Sequence, residues 1–209
     1  MRYFFIDKIK TIECDKSITA IKNVALSDGN SATSIILDDS DNVYVTGASA
    51  TIKYSSSGAV KWIANQLGGS IAVDEMSNVY VTDYGFAENY STTKFNSSGV
   101  QQLVAIYCGP GNSTDRANSI AVDNSGNVYV CGESSGIGTG SDFATIKYNS
   151  SGDSQWVARY DGQGNEQVFS ITLDDSGNVY VTGVSGLSGD YVTIKYDSSG
   201  DSVWVARYN

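Results

Sequence analysis

A chain of 209 residues, 41% hydrophobic and 17% charged, is long enough to bury one substantial core and has the balance of a folded globular domain. Its net charge of -10 leaves no surplus of Lys and Arg to displace counterions from a phosphate backbone, which excludes nucleic acid and anionic membrane surfaces as partners. The absence of histidine removes the Ser-His-Asp triad, the Cys-His pair and every histidine metal site.

In chain order, MRYFFIDKIKTIECDKS has an apolar patch broken by Asp7 and Lys8, too short and too charged for a signal-peptide core. Tyr3 to Cys14 lies without a gap on Val43 to Tyr54, and Lys22-Asn-Val-Ala25 matches a later strand end. The pattern therefore predicts a partial unit over 3–26. A hairpin motif then recurs as SIILDDSDNVYVTG (Ser34–Gly47), SIAVDEMSNVYVTD (Ser70–Asp83), SIAVDNSGNVYVCG (Ser119–Gly132) and SITLDDSGNVYVTG (Ser170–Gly183). Self-similarity at a period of about fifty residues marks an array of one supersecondary unit.

The third copy shows the unit whole. Ser119–Asp123 and Val128–Gly132 flank the turn Asn124-Ser-Gly-Asn127, a hairpin. After the glycine-rich stretch 133–142 come Phe143–Tyr148, the turn Asn149-Ser-Ser-Gly-Asp153, and Gln155–Tyr160. Each unit is thus four antiparallel strands, a to d, with a and b apolar as if covered on both faces. Buried first strands followed by an amphipathic last strand predict an all-β fold, a β-propeller of four-stranded blades. The blades fall at approximately 3–26 (partial), 34–66, 70–107, 119–160 and 170–208 of a single domain, 1–209.

NVYVTG, TIKY, NSSGD and WVARY resemble the bacterial and archaeal SBBP repeat, named for a seven-bladed β-propeller, and the SIAVD-SGN-VYV hairpin is similar to that of NHL-type propellers. The resemblance implies the fold and an extracellular or cell-surface setting, against a cytoplasmic one argued from the missing signal and odd thiols. It brings no chemistry, cofactor or metal. The tally favours a ring of about five blades whose first lacks its inner strand. The rivals are an arc completed by another copy, giving a homo-oligomer through the incomplete first blade, and a fragment of a longer propeller.

The a–b and c–d turns share one end of the blades and are nearly invariant. The b–c and d–a connections share the other and vary in length and composition, so a binding site belongs there. Tyr84, Phe86, Glu88, Asn89 and Tyr90 join aromatic rings to amide and carboxylate groups, suited to sugar or peptide, with packing between blades as the bland alternative. Asp115, Arg116, Glu133 and Glu166 are the other non-repeated polar candidates. DDSGN and DNSGN superficially resemble calcium loops, but a hairpin turn accounts for each residue. Gly136–Gly140 lacks the helix of a phosphate loop.

Lys53, Lys94, Lys147 and Lys195, with Arg159 and Arg207, are expected to lie along the blades and pair with Asp142 or Asp190. Trp62, Trp156 and Trp204 are expected as wedges between blades. Cys14, Cys108 and Cys131 read as structural or free thiols. The leading function is a non-catalytic binding or scaffold module presenting its variable loops to a carbohydrate or a protein. The alternative is a self-assembly element completed by strand exchange with another chain. A third reading, a carboxylate glycoside hydrolase, would draw on Glu88, Asp115, Glu133 and Glu166.

Overall fold

The computed structural model describes residues 31–84, 89–111, 113–186 and 189–209, so the partial unit expected over 3–26 lies outside the described residues. Among the described residues, sixteen strands form four sheets, each in the antiparallel order a-b-c-d. Sheet I holds β1 (Ala32–Leu37), β2 (Val43–Gly47), β3 (Thr51–Tyr54) and β4 (Val60–Ala64). Sheet II holds β5 (Ser70–Val73), β6 (Val79–Tyr84), β7 (Tyr90–Phe95) and β8 (Gln101–Tyr107). Sheet III holds β9 (Asp115–Val122), β10 (Val128–Ser135), β11 (Ser141–Tyr148) and β12 (Ser154–Tyr160). Sheet IV holds β13 (Gln167–Leu173), β14 (Val179–Ser185), β15 (Asp190–Tyr196) and β16 (Ser202–Tyr208).

The hairpins form because each a–b turn satisfies itself. Asp123 accepts hydrogen bonds from Ser125 N (2.9 Å), Asn127 N (2.9 Å), Asn127 Nδ2 (2.8 Å) and Tyr129 Oη (3.0 Å). Asp38, Asp74 and Asp174 repeat the arrangement with Tyr44, Tyr80 and Tyr180. The aspartate thereby pins the turn and aims the tyrosine of the next strand. The fourth turn residue takes a left-handed backbone, φ 76° at Gly126 and Gly177 and 59° at Asp41 and Ser77, the conformation glycine adopts without steric cost.

Each sheet buries one face against the next, in chain order. Tyr44, Trp62 and Ala64 of sheet I pack on Ile71, Val79, Val81 and Phe95 of sheet II. Tyr80, Leu103 and Ala105 pack on Ile120, Val128, Val130 and Ile146 of sheet III. Tyr129, Trp156 and Ala158 pack on Ile171, Val179, Val181 and Ile194 of sheet IV. Full burial of each such aliphatic side chain stabilises by about 1.5–3 kcal/mol, so these three seams are the core.

Trp62 and Trp156 are wedges of defined geometry, whereas Trp204, expected as a third, is 41% exposed and fills no seam among the described residues. Trp62 and Trp156 each donate from Nε1 to the c–d turn of the following sheet, at Ser97 O (3.1 Å) and Ser198 O (3.2 Å). Their indoles lie against Gly99 and Gly200, where a Cβ would come within 2.6 Å of the ring. Leu103 covers Gly152 in the same way. The strand c lysines lie over tyrosine rings, Lys147 Nζ 5.1 Å from the Tyr129 centroid, which keeps their stems along the sheet.

Candidate functional site

At the loop end, sheets II, III and IV continue further than their repeat pattern indicates. Glu133 is read from sequence as part of a b–c loop and Asp115 as part of a d–a loop, but β10 runs on to Ser135 and β9 begins at Asp115. The two extensions pair in register, Arg116 opposite Glu133 and Asp115 opposite Ser134. Only the tight turn 136–140 remains of the glycine-rich stretch, closed by Gly136 N donating to Gly140 O (2.7 Å).

Two buried acids anchor the d–a connections. Asp115 is 1% exposed and accepts from Gly109 N (2.6 Å) and Ser135 N (3.2 Å). With both oxygens taken by backbone amides and no place in the cleft lining, Asp115 shapes its loop and has no acceptor left for a ligand, which corrects its reading as a binding residue. Glu166 occupies the matching place before sheet IV and is 0% exposed. Its Oε1 accepts from Ser185 Oγ (3.2 Å), whereas its Oε2 has no hydrogen-bond partner of good geometry among the described residues. Glycines allow both closures, since a Cβ at Gly109 would strike Asp115 and one at Gly162 would strike Ser185 and Glu166. Burial pushes the Glu166 carboxyl above its ordinary value against the Ser185 hydrogen bond, and the charges of Asp161 and Asp142 add to the rise.

Beside Glu166, Asp142 Oδ2 accepts from Arg159 Nη2 (2.8 Å) and Thr139 Oγ1 (3.0 Å), while its Oδ1 is unpaired. Arg159 also reaches Tyr107 Oη (2.9 Å), Ser134 Oγ (2.6 Å) and Ser134 O (2.8 Å), tying sheet II to sheet III. One oxygen each of Asp142, Asp161 and Glu166 lies within 4.8 Å of the others. Arg159 is the counter-charge to this acidic group.

The extensions and the d–a loops enclose a cleft of about 590 Å³. Arg116, Glu133 and Ser135 line one wall, and Asn165, Glu166 and Gln167 the other. Glu133 accepts from Asn118 Nδ2 (3.3 Å), and burial raises its carboxyl pKa although Asn118 and Arg116 oppose the rise. Arg116, Asn165 and Gln167 thus bring donors, and the two glutamates acceptors, to one opening. Asn165 and Gln167 are absent from the sequence-based candidates, although aligning the hairpins that follow CGPGNST and DGQGN, the second two residues shorter, places Glu166 on Asp115 and Gln167 on Arg116.

Of the cluster expected near residue 90, Tyr90 alone has a described aromatic side chain, and it does not line this cleft. Phe86 and Glu88 lie outside the described residues, Tyr84 ends β6 opposite Tyr90, and Asn89 is half-buried. Tyr90 is fully buried, its ring 5.2 Å from that of Tyr107 and its Oη donating to Ala144 O (3.4 Å). It is a packing residue between sheets II and III, which corrects its reading as an exposed recognition ring. Cys108 and Cys131 are free thiols, and Cys14 lies outside the described residues.

Residues 100–138, which include β9, β10 and one wall of the cleft, match the family model described as SBBP, beta-propeller repeat. No curated protein matches the chain. A Bacteroides caccae protein of unknown function is similar at 13% identity and a TM-score of 0.51, over 88% of this chain and 84% of that one. A Pseudomonas brassicacearum lignostilbene dioxygenase is similar at 11% identity and a TM-score of 0.54, over 87% and 48%. A Synechocystis apocarotenoid oxygenase is similar at 9% identity and a TM-score of 0.51, over 84% and 48%. The chain spans about half the length of these two oxygenases. Identities this low speak to the β-propeller fold alone.

Proposed function

We propose that this protein is a non-catalytic binding module whose cleft between the loop ends of sheets III and IV takes a hydroxyl-rich ligand, a carbohydrate segment. The observation that carries this reading is the convergence of Arg116, Glu133, Asn165, Glu166 and Gln167 on one polar opening. A sugar offers adjacent hydroxyls that each donate and accept. The guanidinium and amides supply donors, the carboxylates supply acceptors, and rigid paired strands hold the Arg116 and Glu133 positions. A cleft of about 590 Å³ falls within the range of small-ligand sites. Binding is tested by calorimetry against a panel of neutral oligosaccharides. R116A and E133Q are each expected to weaken binding at least about tenfold, the loss of one to two hydrogen bonds to charged groups. Unchanged affinity in both variants, with the circular dichroism spectrum preserved, would remove the reading.

A hydrolytic reading is favoured by one further observation. Glu133 and Glu166 share the cleft, and burial raises the pKa of both, which suits either to serve as a general acid. It requires turnover of a chromogenic glycoside that either E133Q or E166Q abolishes. Binding without turnover in the wild-type chain would leave the module reading alone.

A further inference from the structure

The seam between consecutive sheets is built three times from the same parts, and both halves of that seam also occur without a counterpart among the described residues. The face of sheet IV turned away from sheet III carries Tyr180, Lys195, Trp204 and Ala206, which align with Tyr129, Lys147, Trp156 and Ala158 of sheet III. Where Trp156 donates to Ser198 O, Trp204 has no hydrogen-bond partner among the described residues and is 41% exposed. Tyr191, on the position of the fully buried Phe143, is 66% exposed. The opposite half lies on sheet I. Ile35 is 46% exposed, whereas its counterparts Ile71, Ile120 and Ile171 are 5%, 7% and 7% exposed. The c–d turn of sheet I keeps the left-handed glycine, Gly58 at φ 83°, that lets an indole lie flat on such a turn.

We propose that the free face of sheet IV docks on sheet I of a second copy of this chain, reproducing the internal seam between molecules. Trp204 then lies over the partner's Gly58 turn and donates to its carbonyl at Ser56, the position held by Ser97 and Ser198 inside the chain. Lys195 reaches the same turn, as Lys147 Nζ reaches Ser198 O (3.5 Å). The partner's Ile35 and Leu37 meet Tyr180 and Ala206. The c–d turn that seats the wedge keeps a glycine in all four sheets, at Gly58, Gly99, Gly152 and Gly200, and the sequence of residues 3–26 contains no glycine. The contact is heterologous, head to tail, so it closes a ring of copies or propagates.

The test is solution mass by light scattering across a concentration series, with Trp204→Ala and Ile35→Lys, both at exposed positions that leave the internal seams intact. The expected result is a mass rising above the 22.2 kDa of one chain with concentration. Each variant is expected to lower the apparent association constant at least about tenfold. An equimolar mixture of the two variants should recover association, because sheet IV of the Ile35→Lys chain and sheet I of the Trp204→Ala chain are both unaltered. A single-chain mass at every concentration, association indifferent to Ile35→Lys, or no recovery in the mixture would each overturn the proposal.

Discussion

The two ends of the sheets treat their acidic residues in opposite ways. At the turn end, Asp38, Asp74, Asp123 and Asp174 spend their oxygens on backbone amides, an asparagine and a tyrosine of their own hairpin. At the loop end, Glu166 and Asp142 are buried where the turn aspartates are only half-buried, yet each keeps an oxygen with no hydrogen-bond partner among the described residues. A carboxylate used up locally makes architecture, whereas one held in the interior with unused acceptor capacity is available to a ligand or a proton. The difference also separates the turn aspartates, which recur because every hairpin needs one, from Glu133 and Glu166, which occur once each and line a single cleft.

The comparison can be broken first at its strongest joint. Arg159 neutralises Asp142 and links sheets II and III, so Arg159→Met leaves a buried carboxylate unpaired and is expected to destabilise by roughly 3 kcal/mol. Denaturant unfolding measures it, and Arg159→Met combined with Asp142→Leu should recover much of the loss. A smaller effect is expected at the turn end in acid. The Asn178 hydrogen bond, with its neighbours, holds Asp174 down at about 2 from an ordinary 3.8. A group lowered on folding adds stability that is present above 3.8 and lost as pH falls towards 2. Asp174→Asn should therefore flatten the acid limb of the thermal-stability curve between those values.

Glu166 titrates with the opposite sign. Its folded value lies above 4.5, so the folded state binds the proton more tightly and stability falls as pH rises past 4.5. Glu166→Gln should be more stable than the parent at pH 7, with the difference shrinking on acidification, as followed by melting temperature against pH. If Glu166→Gln lowers stability at pH 7, the ionised carboxylate has a partner in solution and the contrast between the two ends fails. The smallest change sharpens the turn end. Ser77 sits at φ 59° where sheets III and IV have glycine, so Ser77→Gly should add at most about 0.5–1 kcal/mol, offset by loss of the 3.2 Å hydrogen bond that Ser77 Oγ donates to Asp38.

Much of the loop end was hidden from a reading of the sequence because repeats advertise what they share. Glu133 and Asp115 lie where the shared hairpin pattern stops, and glycine-rich flanks such as ESSGIGTGSD read as loop although the backbone ladder continues through Ser135. Tyr90 shows the reverse error. Its neighbours are polar and irregular, so it reads as exposed, yet it stands at the first strand c position, where Phe143 is also buried. Alignment to that position was the available signal. Asn165 and Gln167 carried no signal beyond their alignment with the preceding d–a loop.

Taken alone, the amino-acid order determined the four-strand unit, the hairpin turns, the wedge tryptophans and the end of the sheets that varies. These depend on local causes, namely side-chain alternation, turn chemistry and the spacing of a repeat. Tertiary structure decided which variable residues meet. Arg116 and Glu133 come from sheet III, and Asn165, Glu166 and Gln167 from the connection into sheet IV. Their shared cleft depends on how far β9 and β10 extend and how closely two sheets pack, and distance between sheets is written in no local pattern.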